Sequence, residues 1–159
     1  MMHQILIDAD ACPVIRMAEA TAKRYGVPVT LLCDESHALH SDYSTVRTVS
    51  KGADSVDLAL INACRAGDLV ITQDFGVAAL ALGKGAKAIH QSGKIFTDEN
   101  IGGLLMMRHE ARRERMGRGK THLKGPKKRT TADDEAFLRA FEPLVRQLAE
   151  ENAKEATDA

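Results

Sequence analysis

The first 91 residues alternate short β-branched apolar runs with helical stretches, and this alternation constrains the fold more than any other feature. Gln4–Asp8 is the first such run. Val29–Cys33, Thr45–Val49, Leu69–Thr72 and Ala86–His90 follow. Between the first two, Val14, Met17, Ala18, Thr21 and Ala22 recur at helical spacing. Pro13 is placed to open that helix in its first turn, where its missing N–H costs nothing, and Gly26 to close it. Ser55–Arg65 carries Val56, Ala59, Leu60 and Ala63 on one helical face and ends by Gly67, and Phe75–Leu82 stops near Gly83. Strands separated by helices pair in parallel, so the expectation is a three-layer α/β/α fold with a mostly parallel sheet of about five strands. Beyond it, Ile95 and Phe96 suit a small edge strand or hairpin arm. Thr97 can cap a helix through Ile101, Leu104, Leu105 and Arg108 to about Met116, with Asp98 and Glu99 at its positive end. A last amphipathic stretch carries Phe137, Phe141, Leu144, Val145 and Leu148, and Pro143 is expected to kink or split it. The reading is one domain over residues 1–148, including a basic loop over 117–130, followed by a polar, disordered tail over 149–159.

A chain of 159 residues with 44% apolar and 28% charged side chains can bury one sizeable core and is not disordered as a whole. No apolar run approaches the roughly 20 residues a membrane helix needs, so no membrane partner is expected. Cys12, Cys33 and Cys64 are too few and too scattered for a disulfide framework or a zinc finger, which makes a reducing cytoplasm the expected compartment. The net charge of zero conceals an uneven distribution. Residues 1–107 carry 9 basic and 12 acidic side chains, residues 108–129 carry 10 and 2, and residues 130–159 carry 3 and 8. The middle block, RHEARRERMGRGKTHLKGPKKR, has a net charge of +8. Arg112, Arg113, Lys120, Lys124, Lys127, Lys128 and Arg129 are therefore the candidates for holding a nucleic-acid backbone, because phosphates attract such clusters and release counterions. The plainer reading of the same block is a solvated helix end and a polar linker. The chain has few aromatic residues, and they form no stripe that would stack bases.

Carboxylates collect at one place in the pattern. Ligands of open α/β sheets bind beyond the carboxyl ends of the strands. Asp8 and Asp10 end the first strand, Asp34 the second and Asp74 the fourth, while Asp54 and Asp57 open a helix at a spacing that puts both on one face. Each has a modest explanation as a cap or a turn former. Gathered at one sheet end, they would repel one another unless a cation neutralised them. Oxygen donors suit Mg²⁺ or Mn²⁺, and no Cys/His cluster suits zinc. A carboxylate-held divalent cation beside a cationic loop is what phosphodiester hydrolysis requires. Cys12 lies beside these acids, which would hold its thiol protonated and argue against a nucleophile. His37, His40 and His90 fall near strand ends, where they could touch substrate but a surface or core role is the ordinary one.

DADACPV near the start, KGADSVDLALINACRAGDLVITQDFGVAALAL in the middle and KGPKKRT after the basic helix together resemble the YaiI/YqxD family of bacterial proteins, over nearly the whole chain to about Leu148. That resemblance implies a PIN-like α/β/α fold with a carboxylate cluster binding Mg²⁺ or Mn²⁺, and, through the superfamily, a nuclease acting on RNA. Asp8, Asp54 and Asp74 match the superfamily's acidic positions, and Asp10 and Asp57 are further acids of this family's pattern. The resulting expectation has Asp8 and Asp74 as direct metal ligands, Asp54 and Asp57 completing the site, and Asp10 as a ligand or the residue that positions the attacking water. Asp8, Asp10 and Asp74 would then carry catalysis, and Lys124, Lys127, Lys128 and Arg129 would hold the phosphate backbone. PIN-like domains also form homodimers, although nothing in the sequence marks an interface.

Two other functions compete. DADA after an apolar strand also resembles the start of haloacid-dehalogenase phosphatases, in which the first acid, here Asp8, becomes phosphorylated; that reading wants a later lysine and a paired acidic motif, and ITQDF offers one acid. The other is a non-catalytic RNA-binding protein that keeps its acids as a vestigial metal site.

Overall fold

A computed structural model describes residues 2–36, 39–52, 55–117 and 128–158, except the side chains at 108, 112 and 114–117. The elements run β1 (Ile5–Asp8), α1 (Ile15–Tyr25), β2 (Val29–Asp34), β3 (Thr45–Val49), α2 (Ser55–Ala63), β4 (Leu69–Ile71), α3 (Phe75–Gly83), β5 (Lys87–Ile89), β6 (Ile95–Phe96), α4 (Asp98–Gly117) and α5 (Thr131–Asp158). The sheet has six strands in the order β3-β2-β1-β4-β5-β6, all parallel except β6, which pairs antiparallel with β5. The hairpin arm expected at Ile95-Phe96 is therefore the sixth strand.

Strand side chains alternate between the two faces. Ile5, Ile7, Val29, Leu31, Leu69, Ile71 and Ile89 face one way and are buried with α1 and α5. Leu6, Leu32, Val70 and Ala88 face the other way and are buried with α2, α3 and the start of α4. The central strand is covered on both faces: Ile5, Leu6 and Ile7 are all 0% exposed. Each contributes about 1.5–3 kcal/mol by leaving water, so β1 is a fixed platform for whatever stands at its end.

Three boundaries differ from the sequence reading. Helix α1 begins at Ile15 with Val14 as its N-cap, two residues beyond Pro13; its other end closes on Gly26 in the left-handed conformation (φ 70°), as its missing Cβ allows. Pro143 neither ends nor splits the last helix, which runs from Thr131 to Asp158. Phe137, Phe141, Val145 and Leu148 form its buried stripe on both sides of the proline, with the Phe137 and Phe141 rings stacked at 4.8 Å. That burial outweighs the roughly 3 kcal/mol a mid-helix proline costs. Residues 149–158 are likewise helical rather than a disordered tail. The reason is Asn152, which is buried, accepts the His3 N–H at 2.7 Å and donates to the His3 carbonyl at 3.0 Å. Among the described residues, no helix is long and apolar enough to cross a membrane.

Candidate active site at the carboxyl end of the sheet

The chain builds outward from β1 to β2 and β3 on one side, then crosses back to lay down β4 and β5 on the other. The direction reverses between β1 and β4, and such a reversal leaves a crevice beyond the carboxyl ends of those two strands. Asp8 ends β1, and Thr72 and Asp74 follow β4. Thr72 is buried and bridges the crevice: its hydroxyl donates to Asp8 Oδ2 at 3.2 Å and accepts the Asp74 N–H at 3.0 Å. One side chain thus fixes the positions of two acids on different strands. Asp74 is also the N-cap of α3, accepting the Gly76 N–H at 2.8 Å and the Val77 N–H at 3.2 Å through Oδ1. Asp57 lies in the first turn of α2, which starts at the same end of the sheet.

Burial, then Asp57, Asp10 and Asp74, push the Asp8 carboxyl up from 3.8 to about 6, against the lowering pull of the Thr72 hydrogen bond. Asp10, Asp57 and Asp74 therefore lie near enough to Asp8 to oppose its ionisation. Asp34 is a turn former: its Oδ1 accepts the Ser36 N–H at 2.8 Å and the Ser36 hydroxyl. Asp54 lies outside the described residues. Among the described residues, no three His, Cys, Asp or Glu side chains are grouped so as to hold a metal ion. The donor chemistry at Asp8 is nevertheless all carboxylate, which suits a hard divalent cation and would relieve the mutual repulsion.

Asp10 is presented by a strained turn. The Cys12 N–H bonds the Ala9 carbonyl at 3.3 Å, and Ala11 takes φ 57°, the only positive φ of a non-glycine residue among the described residues. This conformation costs an L-residue about 1–2 kcal/mol and clusters at functional sites. Cys12 itself is held protonated, chiefly by burial and further by Asp8, so it is no nucleophile.

The basic residues are placed less uniformly. Lys120, Lys124, Lys127 and the side chain of Arg112 lie outside the described residues, whereas Arg113 and Lys128 are exposed. Arg129 is engaged within the protein. Its Nε pairs with Asp134 at 2.6 Å and its Nη2 donates to the Gln91 carbonyl at 2.9 Å, tying the start of α5 to the β5–β6 turn.

Sequence reasoning missed three neighbours of the site. Thr72 is the first; the T-x-D spacing at a strand end, typical of a hydroxyl-capped turn, was the available signal. The second is a ring cluster in which Phe75, His90 and Phe96 stand 5.7–6.3 Å apart. There the His90 Nδ1 accepts the Ser92 N–H at 3.0 Å, and burial, Arg129 and Lys94 push the imidazole below its usual range, leaving it neutral with its proton on Nε2. The third is a groove between α2 and α3, lined by Asp57, Leu58, Ile61, Asp74, Gly76, Val77 and Leu80.

Comparison with known proteins agrees with the motifs. Residues 6–147 match the family described as "Uncharacterized BCR, YaiI/YqxD family". A UPF0178 protein of Clostridium acetobutylicum is 55% identical over 142 residues, covering 89% of this chain and 96% of its own. One from Lachnoclostridium phytofermentans is 49% identical over 147 residues, covering 92% and 99%. Among solved structures, a mutant of Rae1 (YacP) from Bacillus subtilis superposes with a TM-score of 0.44 at 17% identity, covering 94% of this chain and 99% of that one.

Proposed function

This chain belongs to the YaiI/YqxD family, and we propose that it is a Mg²⁺- or Mn²⁺-dependent nuclease that hydrolyses RNA phosphodiester bonds at the β1–β4 crevice. The observation that carries this reading is Asp8: a carboxyl bridged to β4 by Thr72 and pushed to about 6 by burial and three further acids. In this reading Asp8 and Asp74 hold the cation directly, and Asp54 and Asp57 complete its shell. The cation would supply Lewis-acid activation of water and charge stabilisation at the phosphoryl oxygens. Thr72 ties the Asp8 carboxylate to the Asp74 backbone and so holds the ends of β1 and β4 in register. Asp10, set by the strained turn at Ala11, orients the attacking water and accepts its proton. Lys120, Lys124, Lys127 and Lys128, with Arg112 and Arg113, draw in the phosphate backbone, while Arg129 ties the start of α5 to the β5–β6 turn.

The phosphatase reading wants a lysine next to Asp8, and the described side chains that act on Asp8 are three carboxylates and Thr72. The non-catalytic reading is favoured by one observation, the lack of a three-ligand group among the described residues. A screen of single-stranded RNA, structured RNA and DNA with Mn²⁺ and Mg²⁺, with Asp8→Asn as control, decides between them. Metal-dependent cleavage abolished by Asp8→Asn supports the nuclease. Tight, salt-sensitive RNA binding without turnover in either metal refutes it and leaves a binding protein.

A further inference from the structure

Helices α2 and α3 both start at the carboxyl end of the sheet and leave a groove of about 330 Å³ between them. Asp57 and Asp74, in the opening turns, stand at its mouth; Leu58, Ile61, Val77 and Leu80 line it further along. Leu58 and Leu80 are 62% and 58% exposed. A single exposed leucine is ordinary. Two that flank one groove opening onto the candidate active site are better explained by an occupant. The volume lies at the small end of the roughly 300–1,000 Å³ range of small-ligand sites, and an apolar lining with a few polar groups at one end is their usual character. It would admit a group of nucleoside size and not a folded segment.

Charge decides which part of a nucleotide enters. Among the described residues, no cationic side chain lines the groove, and two carboxylates guard its mouth, so a phosphate finds no partner among them. With a cation held by the acids, a phosphate is favoured at the mouth and the uncharged part of the same nucleotide is favoured against the leucines. We propose that the α2–α3 groove is the nucleobase subsite for the nucleotide whose phosphate sits at Asp57 and Asp74. The proposal rests on the nuclease reading for the place of the phosphate, although it is read out by binding and not by turnover. The lining is aliphatic rather than aromatic, so the subsite grips the faces of a base without hydrogen-bonding its edges and is tolerant of base identity.

The test is a calorimetric titration of the full chain, in Ca²⁺, with 5′-AMP and with ribose 5-phosphate, repeated on Leu58→Ser/Leu80→Ser. Both leucines are exposed, so the double variant keeps its core intact, which its melting curve would verify. The expected result is that 5′-AMP binds wild type about tenfold more tightly than ribose 5-phosphate and that the double variant loses most of this preference. Amide shifts at Gly76 and Leu80 on adding 5′-AMP to wild type give a second readout that needs no variant. Equal affinity for the two probes, an unchanged preference in the double variant, or conversion of a sedimenting dimer to a monomer by the serines would overturn the proposal; the last would assign the groove to a second copy of this chain. A base preference in the groove with no cleavage of any RNA would sink the nuclease reading and leave the subsite standing.

Discussion

Replacing Asp8 with asparagine should make the metal-free protein more stable while destroying its proposed activity. The asparagine oxygen can still accept the Thr72 hydroxyl, which lies 3.2 Å from Asp8 Oδ2, so what is lost is the charge. Asp8 titrates at about 6 in the folded protein against an ordinary 3.8. That difference is about two units at 1.36 kcal/mol each, a ceiling of about 3 kcal/mol. Asp8 is only partly buried, and solvent screening reduces the expected effect to about 1–2 kcal/mol. The sign follows from proton counting. Between the two pKa values the folded state binds more protons than the unfolded one, so wild type loses stability as pH rises from about 4 through 6. The variant lacks that loss. Urea denaturation in EDTA at a series of pH values should therefore show Asp8→Asn about 1–2 kcal/mol more stable at pH 7.5, with the gap closing towards pH 4. Adding Mn²⁺ should reverse the order, because wild type gains about 2.7 kcal/mol at a hundredfold excess over its Kd and the variant gains less. A variant less stable than wild type at pH 7.5 in EDTA, or a gap independent of pH, would refute the argument that Asp8 sits in a crowd of like charges.

Three further perturbations test the neighbouring parts. Thr72→Val removes the hydrogen bond that holds Asp8 down and leaves the Asp74 N–H without its hydroxyl partner; the acidic limb of a pH–activity profile should move to higher pH, at a stability cost of about 1–3 kcal/mol by thermal denaturation. At Asp74, alanine should cost about 1–2 kcal/mol by loss of the α3 cap, whereas asparagine should cost little stability and still abolish metal-dependent cleavage; equal stabilities of the two variants would contradict the cap. Asn152→Ala should cost about 2 kcal/mol and speed amide exchange in both the last turns of α5 and the start of β1, and exchange confined to the helix would show that the two are not joined.

The fold was legible where local rules and tertiary context agree. The apolar runs became strands because short continuous apolar runs between helices have one ready solution, a parallel sheet covered on both faces. Gly26 read as a helix stop, and its left-handed backbone is what only glycine adopts cheaply. Legibility failed where a distant partner decides. Glu150–Asp158 has the composition of a frayed end, yet Asn152 finds both backbone groups of His3. Pro143 is a helix breaker by local propensity and is overruled by Phe137 and Phe141 packed before it and Val145 and Leu148 after it. The acids at the strand ends stood out because like charges need a reason to assemble. Arg129 was read by its charge alone, and only the fold shows Asp134 and Gln91 engaging it. The exposure of Leu58 and Leu80 emerges only once the helices are laid on the sheet.

The clasp between His3 and Asn152 joins segments 149 residues apart. It lies before the first strand begins, at the opposite pole of the sheet from Asp8. The backbone is thus very nearly a closed ring. A covalent link across that clasp would take away chain entropy worth about 5 kcal/mol from the unfolded state, and it would do so without touching the crevice. The same geometry means that a surface tether attached near either end would hold the molecule by its back, with the acids facing the solution.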